Sequence, residues 1–181
     1  MILVMGGSGS GKSEYAENLL SDIRENKFYI AAMKPFGIEG LERINKHKML
    51  RAGKCFTTIE CPTDIEKSLK NMNKESSALI ECISNLAANE MFKDEKKISK
   101  DIVAKKILNG ISEIDSKIAR LVIVTNNVYE DGILYDETTR AYMQALSDIN
   151  IQLAAKAEMV IEVVAGIPVV ISKGETLTED K

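Results

Sequence analysis

Gly6-Gly7-Ser8-Gly9-Ser10-Gly11-Lys12-Ser13 meets the pattern G-x-x-x-x-G-K-[ST] at every fixed position. Glycines at this spacing let backbone N–H groups turn inward around phosphate oxygens, and a helix starting behind them adds its positive end. Lys12 is then set to reach the β- and γ-phosphates of a nucleoside triphosphate, and the Ser13 hydroxyl to sit on Mg²⁺. Glycine is about 7% of an average chain, so a chance match at this length has odds on the order of one per cent. An apolar run before the loop and a helical pattern after it lower those odds further. Such a site also needs an acid at the end of a neighbouring strand. Glu81 follows Ala78-Leu79-Ile80 directly, which puts it at the carboxyl edge where open α/β sheets bind ligands. A strand-end surface carboxylate is the plainer alternative, and the loop favours the metal role.

The single histidine, His47, lies within Arg43-Ile44-Asn45-Lys46-His47-Lys48-Met49-Leu50-Arg51. With Lys54, these residues concentrate positive charge around it in a chain of net charge -3. Nearby cations disfavour an imidazolium, so His47 is expected to stay neutral, as a nucleophile must. The same cations could neutralise a phosphate under attack. A solvated basic helix face accounts for these residues equally well, and the chemistry by itself leaves both readings standing.

Positioning these groups requires alternating strands and helices. Ile2–Met5 is expected as a short buried strand, with the loop after it and a helix from Lys12 to about Glu25. Phe28–Ala32 and Phe56–Cys61 have strand character, and Leu41–Ala52 has helical spacing. Thr63 is expected to cap a helix running into Leu69. Ala78–Cys82 is a further strand, with a helix over Asn85–Phe92 and a solvated charged stretch over Lys93–Lys100. Val103, Ile107, Ile111, Ile114 and Ile118 mark one face of a long helix despite Gly110. Leu121–Thr125 is expected as a strand and Thr138–Ala157 as a helix. Val160–Val164 and Val169–Ile171 flank Gly166-Ile167-Pro168 as an antiparallel hairpin. The class is α/β with a mostly parallel sheet, in one domain over 1–173 with a polar tail over 174–181.

Composition narrows the function. At 181 residues, 45% hydrophobic and 28% charged, the chain is an ordinary globular domain, neither disordered nor collagen-like. Its acidic balance gives no global pull toward nucleic acid. The cysteines, three in number, form no C-x-x-C pair, and one histidine leaves few ligands for zinc. An odd thiol count fits a reducing cytoplasm. No run approaches the roughly 18 apolar residues of a membrane span, and Ile2–Met5 lacks the basic flank of a signal peptide.

Taken in order, these residues resemble the bifunctional adenosylcobinamide kinase/adenosylcobinamide-phosphate guanylyltransferase family of cobalamin biosynthesis. The likeness runs from Met1 to about Ile171. It includes the phosphate loop, Tyr29-Ile30-Ala31, Arg43-Ile44 ahead of His47-Lys48, and Thr58-Ile59-Glu60. It continues through Leu79-Ile80-Glu81-Cys82-Ile83, Val124-Thr125-Asn126, Asn150 with Leu153-Ala154, and Val163-Val164 leading to Gly166-Ile167-Pro168.

The resemblance implies a RecA-like P-loop fold, a homotrimer, and two reactions using Mg²⁺ with GTP or ATP. A nucleoside triphosphate phosphorylates adenosylcobinamide; GTP then transfers GMP to a histidine, which passes it to the cobinamide phosphate. His47 falls on the position that carries GMP. Other nucleotide contacts fall on Ala31, Ala32 and Met33, on Lys48, Met49, Leu50 and Arg51, and on Glu60 and Glu81. Asn127 and Tyr129 depart from the family's usual Glu and Gly, which makes phosphorylation the slower expected step. A plain small-molecule kinase and a non-enzymatic nucleotide switch are the rival readings.

Overall fold

Short runs of β-branched and aliphatic residues form a single sheet in the computed structural model, which describes residues 1–34, 49, 53–93, 98–128, 133 and 135–174. The strands are β1 (Ile2–Met5), β2 (Lys27–Ala31), β3 (Thr57–Glu60), β4 (Ser77–Glu81), β5 (Arg120–Val124), β6 (Met159–Val164) and β7 (Ile167–Lys173). Their order is β3-β2-β4-β5-β1-β6-β7, and every pair is parallel except β6 with β7. One strand, β5, therefore separates the loop-bearing β1 from the Glu81-bearing β4. The mostly parallel sheet with an antiparallel hairpin at its edge is the one expected from the sequence.

Because side chains alternate across a strand, neighbouring residues feed two different cores. Leu3, Ile30, Ile80 and Ile123 face one side, and Val4, Tyr29, Leu79 and Val122 face the other. The first side is covered by α2 (Ile83–Met91), α3 (Lys100–Lys117) and α4 (Glu137–Lys156). The second is covered by α1 (Lys12–Asn18), through Ala16 and the following Leu20. Caps fix where the long helices begin. Ser99 accepts from the Ile102 N–H at 3.5 Å, and Asp136 accepts from the Thr138 and Thr139 N–H groups at 2.8 and 3.0 Å.

Three expectations need correction. Helix α1 stops at Asn18, not near Glu25, because the chain tightens into i→i−3 bonds (Leu20 to Glu17, Ser21 to Asn18, Ile23 to Leu20) before turning into β2. Residues 65–71 form a 3₁₀ helix (Ile65–Asn71) whose cap position is Asp64, in a left-handed conformation, and not Thr63. The hairpin turns at Ala165-Gly166, both at positive φ (49° and 82°), so Ile167 and Pro168 already belong to β7. Two left-handed residues make the turn that matches strand twist, and Pro168 is tolerated on an edge strand. Gly110 also has its reason: a Cβ there would lie 2.6 Å from Ile65 Cγ2, where the 3₁₀ helix packs on α3. Helix spacing over Leu41–Ala52 falls almost wholly outside the described residues, as do residues 94–97 of the charged stretch.

Candidate nucleotide site

The loop between β1 and α1 is shaped by what surrounds it. A Cβ on Gly6 would lie 2.6 Å from the Val163 carbonyl oxygen and 2.7 Å from Ser10 Oγ, so only glycine fits this approach to β6. Gly11 starts α1 at φ 89°, in the left-handed region that favours glycine, and sits against Gly166. The Gly166 N–H donates to the Ser10 carbonyl at 2.8 Å, so the hairpin turn of β6 and β7 holds the loop from outside. Lys12 is buried, and its ammonium donates to the Gly7 carbonyl at 3.0 Å across the loop. Ser10 Oγ is buried without a hydrogen-bond partner among the described residues.

The two residues expected to share a metal lie within hydrogen-bond distance of each other. Ser13 Oγ donates to Glu81 Oε1 at 2.9 Å, reaching from the start of α1 past β5 to the end of β4. A hydroxyl and a carboxylate side by side are oxygen donors suited to a small hard cation, whose other positions would be filled by phosphates and water. Between them rises the end of β5. The Thr125 hydroxyl donates to Asn150 Oδ1 at 2.7 Å, Asn150 Nδ2 to the Asn126 carbonyl at 3.4 Å, and Asn126 Nδ2 to Ser84 Oγ at 2.6 Å. Beyond them, the Asn127 N–H donates to the Gly6 carbonyl at 3.4 Å, which puts this departure from the family pattern at the loop's edge. Burial, with the Glu81 carboxylate nearby, pushes the Cys82 thiol above its ordinary pKa. Cys82 is therefore a neutral partner of Ser84 Oγ, 2.9 Å away, and not a thiolate nucleophile.

The same sheet edge gathers Ala31, Ala32, Met33, Glu60 and Glu81, since β3, β2 and β4 are neighbours. The Ala32 N–H donates to the Glu81 carbonyl at 2.9 Å, and the Cys61 N–H to the Ala31 carbonyl at 2.9 Å. Asn89 on α2 donates to the Ala32 carbonyl at 2.7 Å. Behind Glu60, the Asp64 carboxylate is ringed by Lys106, Lys67 and Lys93, and Lys106 also bonds the buried Glu90 at 2.6 Å. These lysines, Lys106 foremost, hold the Asp64 carboxyl well below the usual carboxylate range. His47, Lys48, Leu50 and Arg51 lie outside the described residues, and so does Tyr129; Met49 is exposed.

Sequence reasoning did not single out Ser84, Asn89, Asn126 or Asn150 as site-building residues. Short polar residues immediately after an apolar strand, as in Thr125-Asn126, were the one available signal.

A phosphate loop behind β1, with a lysine folded into it and a serine–glutamate pair across one intervening strand, defines a P-loop nucleotide-binding enzyme. The family model described as cobinamide kinase / cobinamide phosphate guanyltransferase matches residues 2–171, and the chain belongs to this family. It is accordingly a transferase of adenosylcobalamin biosynthesis with both activities.

The bifunctional adenosylcobalamin biosynthesis protein CobU of Escherichia coli (strain K12) is 30% identical over 179 residues, covering 93% of this chain and 98% of the relative. CobU of Salmonella typhimurium (strain LT2) has the same identity and coverage. CobP of Pseudomonas aeruginosa is 26% identical over 176 residues, covering 97% and 98%. Among solved structures, the flagellar accessory protein FlaH from Methanocaldococcus jannaschii overlays at a TM-score of 0.45 and 15% identity, over 96% of this chain and 78% of that one. That likeness is too loose to add to the argument.

Proposed function

We propose that the enzyme works through a guanylyl-histidine at His47, with the phosphate loop Gly6–Ser13 serving the triphosphate. The contact that supports the loop's part is Ser13 Oγ to Glu81 Oε1 at 2.9 Å, beside the buried Lys12, and the family match over residues 2–171 supports guanylyl transfer. In phosphorylation, loop N–H groups and Lys12 bind and orient the β- and γ-phosphates, and the acceptor hydroxyl of adenosylcobinamide displaces the nucleoside diphosphate. Ser13 and Glu81 would hold Mg²⁺, which when bound neutralises charge developing on the phosphates.

In guanylyl transfer, a neutral His47 nitrogen bonds to the α-phosphorus of GTP. The bond from that phosphorus to the bridging oxygen breaks, and pyrophosphate leaves. The phosphate oxygen of adenosylcobinamide phosphate then attacks the same phosphorus and frees His47. Ala31, Ala32, Met33, Lys48, Met49, Leu50, Arg51, Glu60 and Glu81 are the proposed nucleotide contacts.

The deciding experiment supplies GTP labelled at the α- or the γ-phosphate with no acceptor. Label from the α-phosphate should remain on the protein, labile to acid and stable to base, and should vanish in His47→Ala while nucleotide binding persists. Label from the γ-phosphate, or label surviving in His47→Ala, would instead favour a plain kinase.

The chain is also read as a cytoplasmic enzyme of one domain, taking a corrinoid and no nucleic acid. Among the described residues no helix is long and apolar enough to cross a membrane. A homotrimer is the proposed assembly. Its support is β7, an edge strand whose Ile167, Val169, Val170 and Ile171 are all exposed.

A further inference from the structure

Glu17 is an ionisable group that neither reaction uses, yet only 4% of its side chain is exposed. It stands on α1, five residues after Lys12, about 8 Å along the helix at 1.5 Å per residue. A carboxylate so placed is costly unless paired. Its partner is Lys54, whose ammonium approaches Oε2 at 2.6 Å.

Lys54 sits at a tight corner. Gly53 and Cys55 on either side are both left-handed, at φ 88° and 58°. A non-glycine residue keeps that conformation only where its surroundings impose it. Phe56 closes the corner, its ring edge-on to Tyr29 at 6.0 Å and beneath the Lys27 ammonium at 4.6 Å.

Lys54 also follows His47 by seven residues, at most about 25 Å of extended chain. The pair thus fastens the chain leading from His47 to the helix that begins at the phosphate loop. We propose that the Glu17–Lys54 ion pair is a positioning device for guanylyl transfer, setting the reach of His47 toward the α-phosphate, and that phosphorylation does not depend on it. This rests on the assignment of His47 as the GMP carrier. Phosphoryl transfer draws its geometry from Gly6–Ser13 and Glu81, which are held by the loop's own contacts with β6, the hairpin turn and β4.

The test compares Lys54→Met, Glu17→Gln, the double variant and Lys54→Arg in the full-length enzyme. Rates of protein labelling from α-labelled GTP and of adenosylcobinamide phosphorylation are measured, with melting temperatures alongside. Each neutralising single variant should slow labelling ten- to a hundredfold and leave phosphorylation within threefold. The double should be no slower than the worse single, because both remove one interaction. Lys54→Arg, which keeps the charge, should recover most of the labelling rate.

Parallel loss of both reactions would make the pair a stability element only and overturn the proposal. Unchanged labelling, or single effects that multiply in the double, would overturn it too. If the wild-type enzyme takes no α-label, the His47 assignment itself falls and this proposal falls with it; normal wild-type labelling with normally labelled variants sinks this proposal alone.

Discussion

Lys12 folds back onto the Gly7 carbonyl at 3.0 Å, so its ammonium already lies over the loop that receives the phosphates. Lys12→Ala should weaken nucleoside triphosphate binding by about 1.5–3 kcal/mol, the range for a hydrogen bond to a charged group, and lower phosphorylation further. Equilibrium titration and steady-state turnover measure the two effects, and near-normal turnover would contradict the assignment. At the loop's other edge stands Asn127, its N–H on the Gly6 carbonyl. A neutral amide cannot take a proton from the acceptor hydroxyl, whereas a carboxylate can. Asn127→Glu should therefore raise phosphorylation about tenfold or more and leave GMP labelling of His47 within twofold. Single-turnover assays of each half-reaction would read this, and equal changes in both would place Asn127 outside the acceptor side.

The phosphate loop is contiguous, and Glu81 follows an apolar strand, so both could be read directly. The supports could not. Ser13 meets Glu81 across 68 positions, Asn89 meets Ala32 across 57, and Asn126 meets Ser84 across 42. Only the strand order brings them together. Element ends failed for a similar reason: α1 keeps its apolar spacing past Asn18, but tertiary geometry forces a turn into β2.

The 3₁₀ helix carries a prediction of its own. Asp64 accepts from Lys67 and Lys93 at 2.9 and 3.1 Å as well as from Lys106, and its carboxyl pKa is thereby lowered. Its contribution is thus complete above the ordinary carboxylate range and lost as pH falls below it. Asp64→Asn should cost about 2 kcal/mol at neutral pH, and the gap from wild type should narrow below about pH 4. Denaturant titrations at several pH values would show it, and a gap that stays constant into acid would refute the account.

Across the whole molecule, apolar surface is unevenly placed. The sheet is covered on both faces at its centre, while β7 exposes Ile and Val side chains and has no strand beyond it among the described residues. If that edge joins copies, charges on it should separate them. Val169→Lys with Ile171→Lys should shift the sedimentation profile to a smaller species at equal protein concentration. An unchanged profile would remove β7 from the interface.

The hydrogen bond from the Gly166 N–H to the Ser10 carbonyl also has a consequence for synthesis. The ribosome makes the phosphate loop well before its outer support. β1 needs β5 and β6 on its two sides, partners more than a hundred residues away in the chain. Contacts of that separation close slowly, and the loop lacks this outer support until the hairpin arrives. A nascent chain halted before β6 should therefore carry every residue of the nucleotide signature and still fail to retain a nucleotide. Binding would then report that translation has passed the hairpin, far along the chain from the residues that touch the nucleotide.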